Sequence, residues 1–464
     1  MTKNKFWLSV HLLATLLFLT TVMPVLAANP FPIQTSLWSA PTEKNTWDDI
    51  TNIGFPDQGV VYWWTKFTIP AGATLTFKGK FPHSRYMSFT TYNADTHTPI
   101  AGIYDVSIVP DKGSKNPFLP GALRLAIKRA YTITVMPGTA PANPAQNTFY
   151  TGAPGGTQIS MIYRIYVNDL GRDLTGGVGL PDPILTLSDG TVLQGDAASS
   201  ALAAIPMQFP NYPLPGPFYN AIRNSAPLLY GVDPVTFPAE NPPVFRRGFN
   251  QPNFIGCSYG WFAAAVGGPA FACTDNPAVD GGQNSCLDIA YMTSLVSLGY
   301  GDILVFRGKM PTTPKTDLGN PFMQSGKQLR YWSITTNESL ATTKSYDGVY
   351  DQQVPLDEDG YYTVVISRPE DRPWNAYWLT GVAWLSWPEN GDGAGTPGYG
   401  PNHPDDALII IRNMLIDSDF PNAIQKVTKP ADLGTVLGPY LPTGQYMSKA
   451  DFEALGFYPP CKLK

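Results

Sequence analysis

Arg85 and Arg330 each open a strand-like run, Arg85-Tyr86-Met87-Ser88-Phe89-Thr90-Thr91 and Arg330-Tyr331-Trp332-Ser333-Ile334-Thr335-Thr336. An aspartate follows each: Asp105 in Gly102-Ile103-Tyr104-Asp105 and Asp351 in Gly348-Val349-Tyr350-Asp351. A planar guanidinium can hold a carboxylate through two hydrogen bonds, and an unpaired cation at the head of an apolar face is costly. Asp105 and Asp351 are therefore the expected partners, one or two strands further along each run. Such residues could also grip an anionic group of a ligand. Their double occurrence favours a structural ion pair, since a duplicated protein must fold both halves but seldom needs chemistry in both.

Other chemistry-bearing residues occur once. Gly256-Cys257-Ser258-Tyr259-Gly260 matches G-x-S-x-G, which elsewhere sets a nucleophilic serine on a strand-to-helix elbow, with His403 as a later base. The flanking segments lack the strand–helix alternation that such an elbow needs. Glu338, Asp347, Asp371, Arg372 and Asn375 are polar residues peculiar to the second half and mark a possible acidic or binding site. His83 and His97, with Asp95, lack the spacing of a zinc or facial-triad site, and no resident metal or cofactor is expected. Asp357-Glu358-Asp359-Gly360 and Glu389-Asn390-Gly391-Asp392-Gly393 offer oxygen ligands that Ca²⁺ would accept, but they read first as tight turns.

These residues sit on a repeated framework. Thr76-Phe77-Lys78-Gly79-Lys80-Phe81-Pro82 matches Val305-Phe306-Arg307-Gly308-Lys309-Met310-Pro311, and Tyr131-Thr132-Ile133-Thr134-Val135 matches Tyr362-Thr363-Val364-Val365-Ile366. With the Arg-Tyr and Tyr-Asp blocks, four pairs fall in one order. Their separation is too long for a solenoid and indicates a duplicated domain. Alternating segments such as 60–67, 86–92 and 159–166, divided by Pro, Gly and Asp turns, predict antiparallel β-sandwiches that are jelly-roll-like. The organisation expected is a signal peptide over 1–27, a first sandwich over 28–184, a Pro/Gly/Cys-rich insertion over 185–300, a second sandwich over 301–427 and a tail over 428–464. Short helices are expected over 196–205, 287–298 and 448–456, the last capped by Ser448.

Lys3 and Lys5 precede an apolar run from Phe6 to Val22, and Val25-Leu26-Ala27 supplies small residues for cleavage. This predicts a secreted or periplasmic protein that meets a membrane only through that segment. Net charge is −5 with no dense basic run, which argues against nucleic acid as a partner. Abundant Gly (43) and Pro (46), with 12% aromatic residues, suit a β-rich extracellular chain. The four cysteines, Cys257, Cys273, Cys286 and Cys461, imply two disulfides in an oxidising compartment. Spacing leaves the pairing open; Cys257–Cys273 would close a short loop and leave Cys461 to tie the tail to Cys286.

The segment Gly299 to Pro311, with Arg330-Tyr331-Trp332-Ser333 and Val354 to Thr363, resembles a group of exported bacterial proteins of unassigned function. The first half is similar to bacterial β-sandwich modules of unknown function that carry an Arg-Tyr-x-Ser strand. The resemblance covers most of both copies but neither the Pro-rich middle nor the tail. It implies a β fold and an envelope or extracellular setting, and brings no catalytic residues with it. The leading expectation is a binding protein that holds a glycan or small apolar molecule between its copies. The alternative is a secreted hydrolase using Ser258 or an acidic site near Glu338.

Overall fold

The structure is a computed structural model and describes residues 37–39, 41–46, 51–205, 216–230 (as backbone beyond 223), 236–259, 273–279, 285–395, 397 and 401–463. The predicted signal segment and the runs 206–215 and 260–272 of the insertion lie outside these residues.

Among the described residues the strands are β1 (Val60–Thr68), β2 (Thr74–Lys80), β3 (Ser84–Asn93), β4 (Pro99–Tyr104), β5 (Ala130–Met136), β6 (Thr148–Tyr150), β7 (Gln158–Asn168), β8 (Asp182–Thr186) and β9 (Val192–Gln194) in the first half. They continue with β10 (Arg246–Gly248), β11 (Ile289–Ser297), β12 (Ile303–Lys309), β13 (Leu329–Asn337), β14 (Ser345–Tyr350), β15 (Tyr361–Ser367), β16 (Ala383–Ser386), β17 (Asp406–Ile416) and β18 (Thr443–Met447). They form two sandwiches, and the protein is mainly β. The first joins sheet β1-β7-β3-β4 to sheet β6-β5-β2-β8-β9; the second joins β10-β11-β17-β13-β14 to β16-β15-β12-β18. The second sandwich draws β11 from within residues 185–300 and β18 from the tail.

The repeated blocks occupy equivalent places. Ser88 faces Arg164 and Tyr104 across the first inner sheet, and Ser333 faces Arg412 and Tyr350 across the second. Both sheets shift register one strand-end later, at Thr91/Tyr92 and Thr336/Asn337. Every strand pair is antiparallel except β5–β6 and β15–β16, which again correspond. The shared glycine has a shared cause. A Cβ on Gly79 would lie 2.6 Å from the Tyr131 hydroxyl, and one on Gly308 would lie 2.9 Å from that of Tyr362. In each copy a tyrosine lies over a glycine of the neighbouring strand.

Strand periodicity sends alternate side chains to opposite faces. Met87, Phe89, Tyr163 and Trp63 therefore meet Leu75, Phe77, Ile133 and Val135 inside the first sandwich. Trp332, Ile334, Ile409 and Ile411 meet Phe306, Leu304, Val364 and Ile366 inside the second. The opposite faces of the two inner sheets are not solvated. Val60, Tyr62, Tyr86, Ile162 and Tyr166 of the first copy pack against Ile289, Tyr331 and Met414 of the second. The result is four layers with the copies back to back, the Tyr166 and Tyr331 rings meeting edge-on at 5.1 Å.

This double burial explains one misreading. Residues 287–298, expected as a helix, contain strand β11. A strand buried on both faces loses the polar–apolar alternation that would betray it. The other short helices do form, as Gly195–Ala201 and Lys449–Glu453, the latter with Ser448 Oγ accepting from the Asp451 amide at 3.0 Å. Among the described residues no helix is long and apolar enough to cross a membrane.

Candidate functional site

The seam between the copies is held by buried charge, and the pairs cross it. Arg85 Nη1 donates to both carboxylate oxygens of Asp351, at 2.8 and 2.7 Å, not to Asp105. Arg330 Nη1 donates to Asp105 at 3.1 Å, not to Asp351. The expectation of one ion pair within each copy is thus corrected. Each aspartate stays tied to its own copy by a backbone amide, Met87 to Asp105 (3.2 Å) and Trp332 to Asp351 (3.1 Å). Its charge is matched by the other copy. The side chains of Arg85 and Asp351 are wholly buried. Asp105 receives a single guanidinium contact, and burial, opposed by Arg330, pushes its carboxyl up to about 7.

A second crossed set lies further along the seam. Asp57, just before β1, accepts from the Tyr331 hydroxyl (2.9 Å) and the Ser333 hydroxyl (2.9 Å) and lies 3.7 Å from Arg412 Nε. Asp288, just before β11, accepts from the Tyr86 hydroxyl and from Cys286 Sγ (2.7 Å). Burial first, then Asp288, pushes the Cys286 thiol up to about 11.

Beside this set, β1 and β7 face β11 and β17 across a cavity of about 150 Å³. Its wall takes Tyr62, Trp64, Arg164 and Tyr166 from the first copy and Tyr291, Thr293, Ile410 and Arg412 from the second. The arrangement is pseudo-symmetric. Tyr62 pairs in register with Arg164, and Tyr291 with Arg412. The Arg164 guanidinium lies 5.7 Å from the Tyr62 ring centre, and that of Arg412 lies 5.9 Å from the Tyr291 ring. Arg164 donates to the hydroxyls of Tyr92 (2.6 Å) and Thr90 (3.3 Å). Arg412 donates to the Thr335 hydroxyl (2.9 Å) and the Phe55 carbonyl (2.6 Å). Thr90 and Thr335 are matched residues of the repeat. The segment at Phe55 and the helix Gln251–Ser258, capped by the Asn250 side chain, complete the wall with Phe55 and Phe254.

The other residues singled out in the sequence do not gather here. Ser258 is the last residue of the helix Gln251–Ser258, so no strand leads into it as a nucleophile elbow requires; Gly260 lies outside the described residues. His403 Nδ1 lies 3.3 Å from Arg223, and burial, reinforced by that cation, lowers its imidazole to about 4. Glu338 accepts from the Thr342 hydroxyl and from Asn390 (3.1 Å). Arg372 donates to the Ala376 carbonyl and stacks on Trp384 at 4.5 Å. Asn375 donates to the carbonyls of Phe452 and Gly456, which fastens the tail helix. His83 contacts Arg129, and His97 is a buried residue with a left-handed backbone. Of the acidic turns, Asp357 pairs with Arg307, and Asp392 accepts from the Tyr219 hydroxyl at 2.7 Å. Among the described residues no cluster of His, Cys, Asp or Glu is arranged to hold a metal ion.

Cys257 and Cys273 form a disulfide. The second bridge is not made: Cys286 is buried in the seam and Cys461 is exposed at the tail. Sequence could not reveal this, because Cys286 is held by Asp288, Tyr86 and Ser88 inside the interface. A thiol-reactive dye is therefore expected to label one cysteine per native chain, Cys461, and a second only on unfolding. Labelling of neither in denaturant would show a Cys286–Cys461 bridge.

Arg164 and Arg412 were missed by the sequence reading. The available signal was a lone cation in an apolar strand, Met161-Ile162-Tyr163-Arg164-Ile165 and Ile409-Ile410-Ile411-Arg412, at matching places after the recognised blocks. No family model matches the chain, and no curated protein does. Among the solved structures similar to this chain, two match over most of their length. An uncharacterised protein from Burkholderia cenocepacia is 13% identical, with a TM-score of 0.39 over 89% of this chain and 84% of that one. A protein from Vibrio parahaemolyticus is 11% identical, with a TM-score of 0.38 over 93% and 95%.

Proposed function

We propose that this is an exported binding protein whose site is the cavity between its two copies. The observation that carries this reading is the cavity wall itself: equivalent strands of both copies each bring a tyrosine and an arginine to one aromatic-lined space. Concave, mostly apolar sites with a few convergent polar groups are where small ligands bind. A cavity of about 150 Å³ holds benzene in another protein, so the ligand here is about one ring in size, which favours a small molecule over a glycan chain. Export is supported by the basic and apolar start of the chain and by the Cys257–Cys273 disulfide.

The test is thermal stabilisation by a panel of single-ring compounds, in the parent and in Thr293→Phe, which places a ring in the cavity. A ligand at a hundred times its Kd stabilises the parent by about 2.7 kcal/mol, and the filled variant is expected to respond to none. Equal responses in the two proteins, or no response to any compound, would remove the cavity as the site.

A further inference from the structure

We infer that two paired loops, one from each copy, form a docking surface for an anionic lipid bilayer, their apolar tips entering the acyl boundary and their lysines meeting the lipid phosphates. This surface is separate from the cavity and from the leading segment through which the sequence predicts membrane contact. Segment 119–127 of the first copy and segment 316–323 of the second lie side by side. Leu123 bridges Phe322 in antiparallel fashion, the Arg124 amide donates to the Pro321 carbonyl at 2.8 Å, and the Met323 amide donates to the Ala122 carbonyl at 3.0 Å. The Met323 side chain is sunk in the core of the first sandwich, which fixes the pair of loops to the body of the protein. The side chains are arranged inside out. Arg124, 2% exposed, points inward, donates to the Thr316 (3.2 Å) and Asn320 (2.7 Å) carbonyls and pairs with Asp169. The apolar residues around it face water: Leu119, Leu123, Leu125 and Phe322 are exposed, Ile127 is 94% exposed and Leu318 86%.

A single exposed leucine needs no explanation, but a contiguous apolar group marks an interaction surface. These side chains stand on two tight turns, closed by the Ala126 amide on the Leu123 carbonyl (3.3 Å) and the Gly319 amide on the Thr316 carbonyl (3.1 Å). Projecting tips need no matching pocket when the partner is a fluid apolar layer, whereas a protein partner must be shaped to each of them. Charge selects the kind of bilayer. Residues 112–129 hold Lys112, Lys115, Arg124, Lys128 and Arg129 and no carboxylate, in a chain whose net charge is −5. Lys115, Lys128 and Lys315 are exposed, and the Lys115 amide donates to the Lys128 carbonyl at 2.9 Å. The carboxylates nearest in sequence, Asp111 and Asp317, are each held by a hydroxyl, that of Thr132 at 3.2 Å and that of Tyr350 at 3.0 Å. Cations close to an anionic surface add to the attraction of the apolar tips, and lysine stems reach past such tips to the phosphates. A second copy would bring the same cations to the same place and be repelled. The exposed rings of Trp374 and Trp378 lack this bias, since charges of both signs, Glu370, Asp371 and Glu453 with Arg372 and Lys449, accompany them.

Co-flotation of the exported protein with vesicles of phosphatidylcholine alone, and of an equal mixture with phosphatidylglycerol, tests this. The protein should float with the mixed vesicles, far less with the neutral ones, and be released as salt is raised. Hydrogen exchange on the mixed vesicles should slow in segments 119–127 and 316–323. Leu125→Ser with Ile127→Ser, both at exposed positions, should weaken partitioning at least about tenfold, the effect of about two methylene groups leaving lipid. Lys115→Gln with Lys128→Gln should weaken binding to the mixed vesicles by about fivefold per cation and leave neutral vesicles unaffected. No flotation, protection confined to other segments, or unchanged flotation of the Leu125/Ile127 variant would overturn the docking surface. Equal binding to neutral and mixed vesicles would overturn the anionic bilayer as its partner. A dimer that Ile127→Ser dissociates, with no flotation of either form, would assign the face to a second copy instead.

Discussion

Replacing Arg85 by methionine is expected to lower the unfolding free energy by about 3–5 kcal/mol, read from guanidinium chloride denaturation, because it leaves the Asp351 carboxylate buried without its cation. Asp351 would keep the Trp332 amide, a single neutral donor against a full charge in a site closed to water. Arg85 also donates to the Thr316 hydroxyl at 2.9 Å and lies over the Tyr350 ring at 5.5 Å, so its loss loosens the second copy around it. The double change Arg85→Met with Asp351→Leu should recover much of the loss, since an apolar pair of similar volume removes the unmatched charge. The cycle separates the pair from the packing of either residue alone. A loss below about 1 kcal/mol in Arg85→Met, the range of an exposed ion pair, would show that the crossed pair does not hold the copies together.

At Asp57 the expected loss is of similar kind, about 3 kcal/mol for Asp57→Asn, because Arg412 then stays buried with only neutral acceptors. The amide keeps the shape of the carboxylate and still accepts from Tyr331 or Ser333, so the loss reports charge and not a hole. Unchanged stability in the variant would mean that Asp57 does not balance Arg412.

The duplication was plain in the chain because the residues that repeat are those any copy of the module must keep. The glycine under a tyrosine, the arginine that opens a strand and the aspartate that caps its neighbour's amide are local demands, legible from strand period and spacing. The sandwich architecture followed from the same signals, since short strands between Pro and Gly turns can bury an apolar face only by stacking sheets. The tail helix was legible from its serine cap.

Everything that crosses the seam was decided by tertiary structure. Strand periodicity says which side chains share a face, but not which sheet that face will meet. Arg85 and Asp105 lie close in sequence, yet each finds its opposite charge in the other copy, because back-to-back packing brings the two strand ends together. The same packing buries both faces of β11 and so hides it as a strand, and it encloses Cys286 away from the tail. It also turns two isolated arginines, Arg164 and Arg412, into the poles of one cavity. Sequence spacing reaches only as far as a hydrogen-bonded neighbour; the cavity between the copies arises where two surfaces far apart along the chain are pressed together and water is excluded from the charges they carry.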